Sequence, residues 1–322
     1  MKKGILISLI MAGVLVIFAG VALCFGSAKI SFMDIVSILG GAGYGTPDYM
    51  IITGLRLPRI ILAVIVGAML GISGAVLQSL FRNSLVDPFI TGISSGAALG
   101  ASIGIISGLT FIIAPAFAGA MLAVFFVYGV SIKEGRVNSS RLLLTGVMTG
   151  TMLSSLVMLL SAVNSRDIVK VIYWLMGDLS ASDYTQIKFA AILLIAALGA
   201  AMFYANDLNI MSSGEETAST LGVNAEFLKL FYFILASILT AAAVSLSGVI
   251  GFIGLVVPHA VRKFTGPDLR LLLPACAFSG ALFLLLCDTA ARTAFLPGEL
   301  PVGVITGLIG APVFIILARR GK

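Results

Sequence analysis

Residues 88–132 read PFITGISSGAALGASIGIISGLTFIIAPAFAGAMLAVFFVYGVSI, and between Asp87 and Lys133 no side chain carries a charge. One bilayer crossing takes roughly 20 predominantly apolar residues in a helix, so this run holds two crossings folded as a hairpin. Working outward, uncharged stretches recur at residues 4–26, from Ile60 onward, and at 142–165, 189–206, 230–261, 271–287 and 300–318. The 230–261 run is too long for one crossing and short for two. Its Gly248, Gly251, Gly254 and Pro258 predict one full helix followed by a short, broken one. The expected architecture is an all-α polytopic membrane protein with about ten transmembrane helices, organised as one transmembrane domain over residues 1–322.

Composition agrees. The chain is 59% hydrophobic and only 11% charged, with a mean hydropathy of +1.14, whereas a soluble domain is about 25% charged. A water-soluble fold is thereby excluded. Ten crossings put both termini on one side of the membrane, and the excess of Lys and Arg marks the cytoplasmic face. Of the 20 basic residues, Lys29, Arg56, Arg59, Arg166, Lys170, Lys188 and Arg292 fall outside and the rest inside, so both termini are expected in the cytoplasm. The net charge of +6 is then a topology signal, and nucleic acid is not an expected partner. Met1-Lys2-Lys3 and the apolar run behind them could form a cleaved signal peptide. A retained first helix is the better reading, because the run is long and its loss would leave an odd number of crossings. Cys24, Cys276 and Cys287 are scattered through apolar runs without CxxC spacing, as buried free thiols are, and no metal site is expected.

The longest polar connections are residues 27–57 and 164–188 outside and 206–226 inside. Residues 168–177, with Tyr173 and Trp174, predict a short helix at the outer membrane boundary, where such rings prefer to sit. Gly92, Gly96, Gly100, Gly104 and Gly108 recur every fourth residue, a slanting stripe that lets another backbone come close. Packing explains that stripe without any ligand.

Three segments are more specific. Arg56-Leu57-Pro58-Arg59 leads through Ile72-Ser73-Gly74-Ala75-Val76-Leu77-Gln78 to Arg82-Asn83-Ser84-Leu85-Val86-Asp87-Pro88. Gly251-Phe252-Ile253-Gly254-Leu255-Val256-Val257-Pro258-His259 is followed by Arg262. Glu299-Leu300-Pro301-Val302-Gly303 runs to Gly310-Ala311-Pro312-Val313-Phe314. In this order and at these separations they resemble the FecCD-type permeases of type II ABC importers, which include vitamin B12, haem and ferric-siderophore permeases. The resemblance spans nearly the whole chain from Arg56 onward. It implies ten crossings per subunit, a second permease copy, two cytoplasmic ATPase subunits and an extracytoplasmic substrate-binding protein, all at the cytoplasmic (inner) membrane. The sequence contains no GxxxxGK(S/T) loop to cradle phosphates. The chain is therefore expected to be a transport subunit without cofactor, with ATP and Mg used by the partner.

The resemblance also points to residues. Gly214-Glu215-Glu216-Thr217-Ala218-Ser219-Thr220-Leu221-Gly222 resembles the coupling motif that meets the ATPase, with Thr217 where Ala is usual; Gly222 can end its short helix with a left-handed cap. An ordinary capped surface helix would look the same. Arg56, Arg59 and Arg292 match arginines that receive glutamates of the binding protein, a pairing that suits guanidinium. Arg292 could instead, or as well, pair with Asp288 four residues earlier. Asn83, Leu85, Ser139 and Ser140 match a cytoplasmic gate, although Ser140 could simply cap a helix.

His259 is the only histidine, and an ionisable group inside a membrane invites a proton-relay reading. Its position after Pro258 fits a structural role better, and one histidine followed by Ala260 makes neither HExxH nor a Ser/His/Asp set. Two other classes remain in view. A membrane-embedded enzyme would need a convergent catalytic set, and beyond Asp288 the crossings hold almost no acid; a proton-coupled secondary transporter would need neither coupling segment nor outer arginines. Among cargoes, ferric siderophores lead because the family handles them most often, with haem and cobalamin also possible.

Overall fold

The computed structural model describes residues 2–133, 136–180, 183–296 and 298–319. The chain opens with α1 (Lys2–Cys24), then two short helices, α2 (Phe32–Leu39) and α3 (Pro47–Met50). A π-helical turn, Ile51–Arg56, carries α3 into α4 (Leu57–Leu80). The uncharged run forms the expected hairpin, α5 (Ile93–Ile106) and α6 (Ile113–Ser131). A two-stranded antiparallel ladder, β1 (Ile132–Lys133) against β2 (Arg136–Val137), precedes α7 (Ser139–Val163). Then follow α8 (Ile168–Leu175), α9 (Tyr184–Phe203), α10 (Ala205–Ser212), α11 (Glu215–Thr220), α12 (Ala225–Ser247), α13 (Ile253–Thr265), α14 (Leu269–Thr293) and α15 (Val302–Arg319).

Six helices among the described residues are long and apolar enough to cross a bilayer, the longest being Pro47–Leu80. Shorter apolar helices lie at Leu9–Cys24, Ile93–Ile106 and Val302–Ile316. The third crossing expected from the sequence is thus only 14 residues of helix, because Gly92 takes a left-handed conformation before it and residues 107–112 leave the helix after it.

The core is built around α4, which packs against α14, α12, α13 and α9. Lipid tails are as apolar as leucine, so helices associate here through close packing and hydrogen bonds. Accordingly very close contacts are made where side chains vanish: a Cβ on Gly280 would collide with the backbone carbonyl of Gly67, and one on Gly67 with that of Gly280. The glycine stripe of α5 serves the same end, Gly96 and Gly100 lying against Gly119 and Pro115 of α6. Several hydroxyls inside this core turn back on their own helices, as Ser73 donating to the Met69 carbonyl at 2.8 Å and Thr240 to Ala236 at 2.7 Å, while the Tyr232 hydroxyl reaches across to the Ala201 carbonyl of α9 at 2.8 Å.

The break expected in the 230–261 run is present. α12 ends at Ser247 and α13 starts at Ile253, with Gly248 and Phe252 both at positive φ. Unwound backbone within a membrane needs partners, and neighbouring segments supply them. Asp178 N–H donates to the Ser247 carbonyl at 2.8 Å, and the buried Gln78 amide donates to Leu255 and Gly254 carbonyls at 3.1 and 3.3 Å. Val302 and Gly303 N–H groups bond the Gly177 and Met176 carbonyls, tying the start of α15 to the segment after α8.

Gly280→Ala is expected to lower the melting temperature of the detergent-purified chain, by overpacking worth about 1–3 kcal/mol. Gly199→Ala, on α9 with open space around the added methyl, should leave it unchanged; equal melting of the two variants would contradict the close-approach role.

Candidate functional site

The N-terminal end of α4 gathers the three arginines singled out in the sequence. Arg56 ends the π-helical turn, Arg59 sits in the first turn of α4 beside Pro58, and Arg292 lies in the last turn of α14. All three are buried, at 5%, 7% and 4% exposure. Arg56 donates to the carbonyls of Leu23, at 2.6 Å, and Ala28 at the end of α1 and just beyond it. A Cβ on Gly26 would lie 2.7 Å from Arg56 Nη2, so a glycine there makes room for the guanidinium.

Two carboxylates answer these charges. Asp288, fully buried on α14, accepts from Arg59 Nε at 2.9 Å through Oδ1, and its Oδ2 lies 3.1 Å from Arg292 Nε. The i,i+4 pair anticipated for Arg292 is therefore present, but the same carboxylate also holds Arg59 from another helix. Glu299 accepts from Arg59 Nη1 at 2.6 Å. Arg292 Nη1 donates to the Phe25 carbonyl at 3.4 Å, while its Nε and Nη2 have no hydrogen-bond partner among the described residues. Three guanidiniums thus face two carboxylates, and one is incompletely satisfied. The Arg59 contacts with Asp288 and Glu299 were not anticipated, since they join residues more than 200 positions apart. The available signal was Asp288 itself, because acids inside crossings are rare and usually paired.

On the opposite side, α11 forms a short helix within the 206–226 segment. Ala218 is buried, whereas Glu216, Thr217, Ser219, Thr220 and Leu221 are exposed, Leu221 at 64%; the Glu215 side chain lies outside the described residues. Gly214 precedes the helix, and Gly222 follows it at φ +79°, its N–H bonding the Ser219 carbonyl at 3.1 Å while Val223 N–H bonds Ala218 at 2.9 Å.

The four gate candidates lie at two separate turns. Asn83 and exposed Leu85 follow α4, with Leu85 N–H bonded to Asn83 Oδ1 at 2.9 Å. Ser139 and Ser140 open α7, but the cap is Asn138, whose Oδ1 accepts from Arg141 N–H at 3.1 Å; Ser140 is therefore not the capping residue. No hydrogen bond joins the two pairs among the described residues. Next to Leu85, Asp87 caps the 3-10 turn Pro88–Thr91 by accepting from Phe89 N–H at 2.8 Å. Enclosure by surrounding protein pushes its carboxyl up to about 6, against the opposing pull of that N–H. The lone His259 stands edge-on to Phe314 at 6.3 Å, its Nε2 unpartnered among the described residues.

Apolar helices long enough to cross a membrane, a break between two of them and a charged cluster at one end are the features of a membrane protein of the permease class. The chain belongs to the FecCD transport family, whose model matches residues 13–320. It is 45% identical over 281 residues to the cobalamin import system permease protein BtuC of Halobacterium salinarum, covering 86% of this chain and 76% of that one. It is 38% identical to the hemin transport system permease protein HmuU of Yersinia pestis, covering 97% of this chain and 96% of the relative. A solved metal-chelate type ABC transporter in an inward-facing conformation matches with a TM-score of 0.87 at 31% identity, covering 98% of this chain and 99% of the other.

Asp288→Asn should destabilise the chain by about 3–5 kcal/mol, as expected when one member of a buried ionic cluster is removed. Lys170→Gln, which breaks only the exposed pair with Asp167, should cost about 1 kcal/mol or less. Denaturation in mixed detergent micelles distinguishes them. For Asp87 the carboxyl is raised above its unfolded value, so native protein holds the proton more tightly. Wild type should gain stability relative to Asp87→Asn as pH falls from about 7 towards 5, and lose that gain as pH rises through about 6. Parallel melting curves at all pH values would contradict this.

Proposed function

We propose that this chain is the membrane-spanning subunit of an ATP-driven importer, moving a large metal chelate inward across the cytoplasmic membrane by alternating access. The observation that carries the reading is the likeness, over nearly the full length of both chains, to the metal-chelate type transporter. The reading assigns ten crossings: the six long apolar helices, the three shorter ones, and α13. Both termini then face the cytoplasm, in keeping with the inner bias of Lys and Arg, and the whole chain acts as one permease unit beside a second copy.

Each candidate site takes a role in that scheme. Energy comes from two ATPase subunits that use ATP and Mg, docked on residues 214–222; an exposed helix with Leu221 and Glu216 outward suits such a partner. A substrate-binding protein docks outside, presenting acidic side chains to Arg56, Arg59 and Arg292, a pairing that suits guanidinium. Asn83 and Leu85 with Ser139 and Ser140 narrow the inner exit. The cargo is a metal-centred chelate of the size of cobalamin, haem or a ferric siderophore; the bond-making chemistry lies with the ATPase.

Proteoliposomes carrying the assembled complex should accumulate one of labelled cobalamin, haemin or a ferric siderophore only when ATP is supplied. Accumulation driven by a proton gradient without ATP would replace this reading with secondary transport. Gly222→Val should insert and fold normally yet abolish uptake, because a branched side chain cannot hold φ +79° without strain. Wild-type uptake by that variant would remove the coupling role.

A further inference from the structure

Arg59 holds two carboxylates of unequal standing. Its Nε is paired with Asp288, which is wholly buried, while its Nη1 is paired with Glu299, whose side chain is 48% exposed. The second pair is half wet and sits on a connection, whereas the first is enclosed between two packed helices. Arg59 and Glu299 also line an outer cleft of about 640 Å³ together with Lys170, Tyr173, Trp174 and Asp178. The connection bearing Glu299 is tied to its surroundings by few bonds. Leu300 N–H bonds the Ala291 carbonyl at 3.1 Å, and Val302 and Gly303 bond Gly177 and Met176, the residues that follow α8. The start of α15, close behind Glu299 in the chain, is thus bonded to the residues that follow α8.

We propose that Glu299 is a resident carboxylate that occupies Arg59 until an acidic side chain of the docking protein takes its place, so that arrival of the partner releases residues 298–301 and loosens the end of α8. This rests on the docking reading of the outer arginines given above. The exchange is feasible because Arg59 keeps a carboxylate throughout: the incoming one replaces Glu299, whose half-exposed side chain passes to water. Asp288 could not serve, since it is wholly buried and withdrawing it would leave Arg292, also buried, without a carboxylate. Glu299 therefore sets docking affinity from inside the permease, and it links docking to the wall of the outer cleft.

The test uses the full chain in lipid nanodiscs with its cognate substrate-binding protein. Glu299→Gln is expected to tighten association about five-fold, the gain from removing a half-exposed competitor, and to raise acrylamide quenching of Trp174, the chain's single tryptophan, before any partner is added. Glu299→Asp, which keeps the charge on a shorter arm, should fall between wild type and Glu299→Gln. Arg59→Gln should weaken association strongly. Unchanged affinity in Glu299→Gln with loss in Arg59→Gln overturns the latch and leaves docking standing, whereas unchanged affinity in both overturns docking itself. Weaker association together with a lower melting temperature in Glu299→Gln would make Glu299 a structural residue and end the proposal.

Discussion

Inside hydrocarbon an unpaired backbone N–H or carbonyl has no water to turn to, and this requirement organises the whole molecule. It permits a helix to stop at Ser247 and another to start at Ile253 only because other segments reach in to complete the exposed groups. Gln78 from α4 and Asp178 from the segment after α8 both do so, and the start of α15 is fastened to residues 176–177. The break is therefore a junction at which four parts of the chain meet. Such a junction needs a firm support, and α4 provides it: about nine-tenths of its apolar window is buried, against roughly a fifth for α7 and α9. The lightly covered helices are left for lipid or for another copy of the chain.

The same scarcity of water governs charge. Three arginines at the start of α4 and the end of α14 would be costly if simply enclosed, and the protein meets them with Asp288, Glu299 and the carbonyls at the end of α1. The cluster consequently fastens α1, α4 and α14 together at one point. A purely structural clamp would be expected to balance its charges, as buried ions that lack partners are costly. This one sets three guanidiniums against two carboxylates and keeps one of the two, Glu299, half exposed, which suits the docking role proposed above.

Much of this was legible in the sequence because it depends on local pattern. Uncharged length gives a crossing, so the α5–α6 hairpin could be read directly, and glycine with proline in a long apolar run gave the break before α13. Aromatic residues on a short amphipathic stretch gave α8. The single i,i+4 pairing of Asp288 with Arg292 was visible for the same reason. What could not be read was long-range: Arg59 meeting Asp288 and Glu299 depends on how α4 is set against α14, which no spacing rule encodes. Asn138 was missed as the cap of α7 because three polar residues in a row, Asn138, Ser139 and Ser140, all have capping chemistry, and only backbone geometry selects among them. The short α5 shows a related limit, since hydropathy measures solvent preference and does not see where the backbone leaves the helix.

These two kinds of constraint act at opposite ends of one helix. α4 begins in the arginine cluster and ends where Gln78 holds the carbonyls at the start of α13. Because its middle is locked to α14 at glycine contacts that admit no added side chain, α4 and α14 behave as a frame, and shifts must occur in elements that are short and lightly attached. α8 and α11 are of that kind, six to eight residues long and exposed along much of their length. An importer needs an outer end that responds to a delivered cargo and an inner end that responds to an engine, without the membrane core losing its hydrogen bonds at either step. Under the proposed topology the short pieces lie at the two surfaces with the frame between them, an arrangement that suits that requirement, with glycines packing the frame closely in its middle and the arginine cluster at one end.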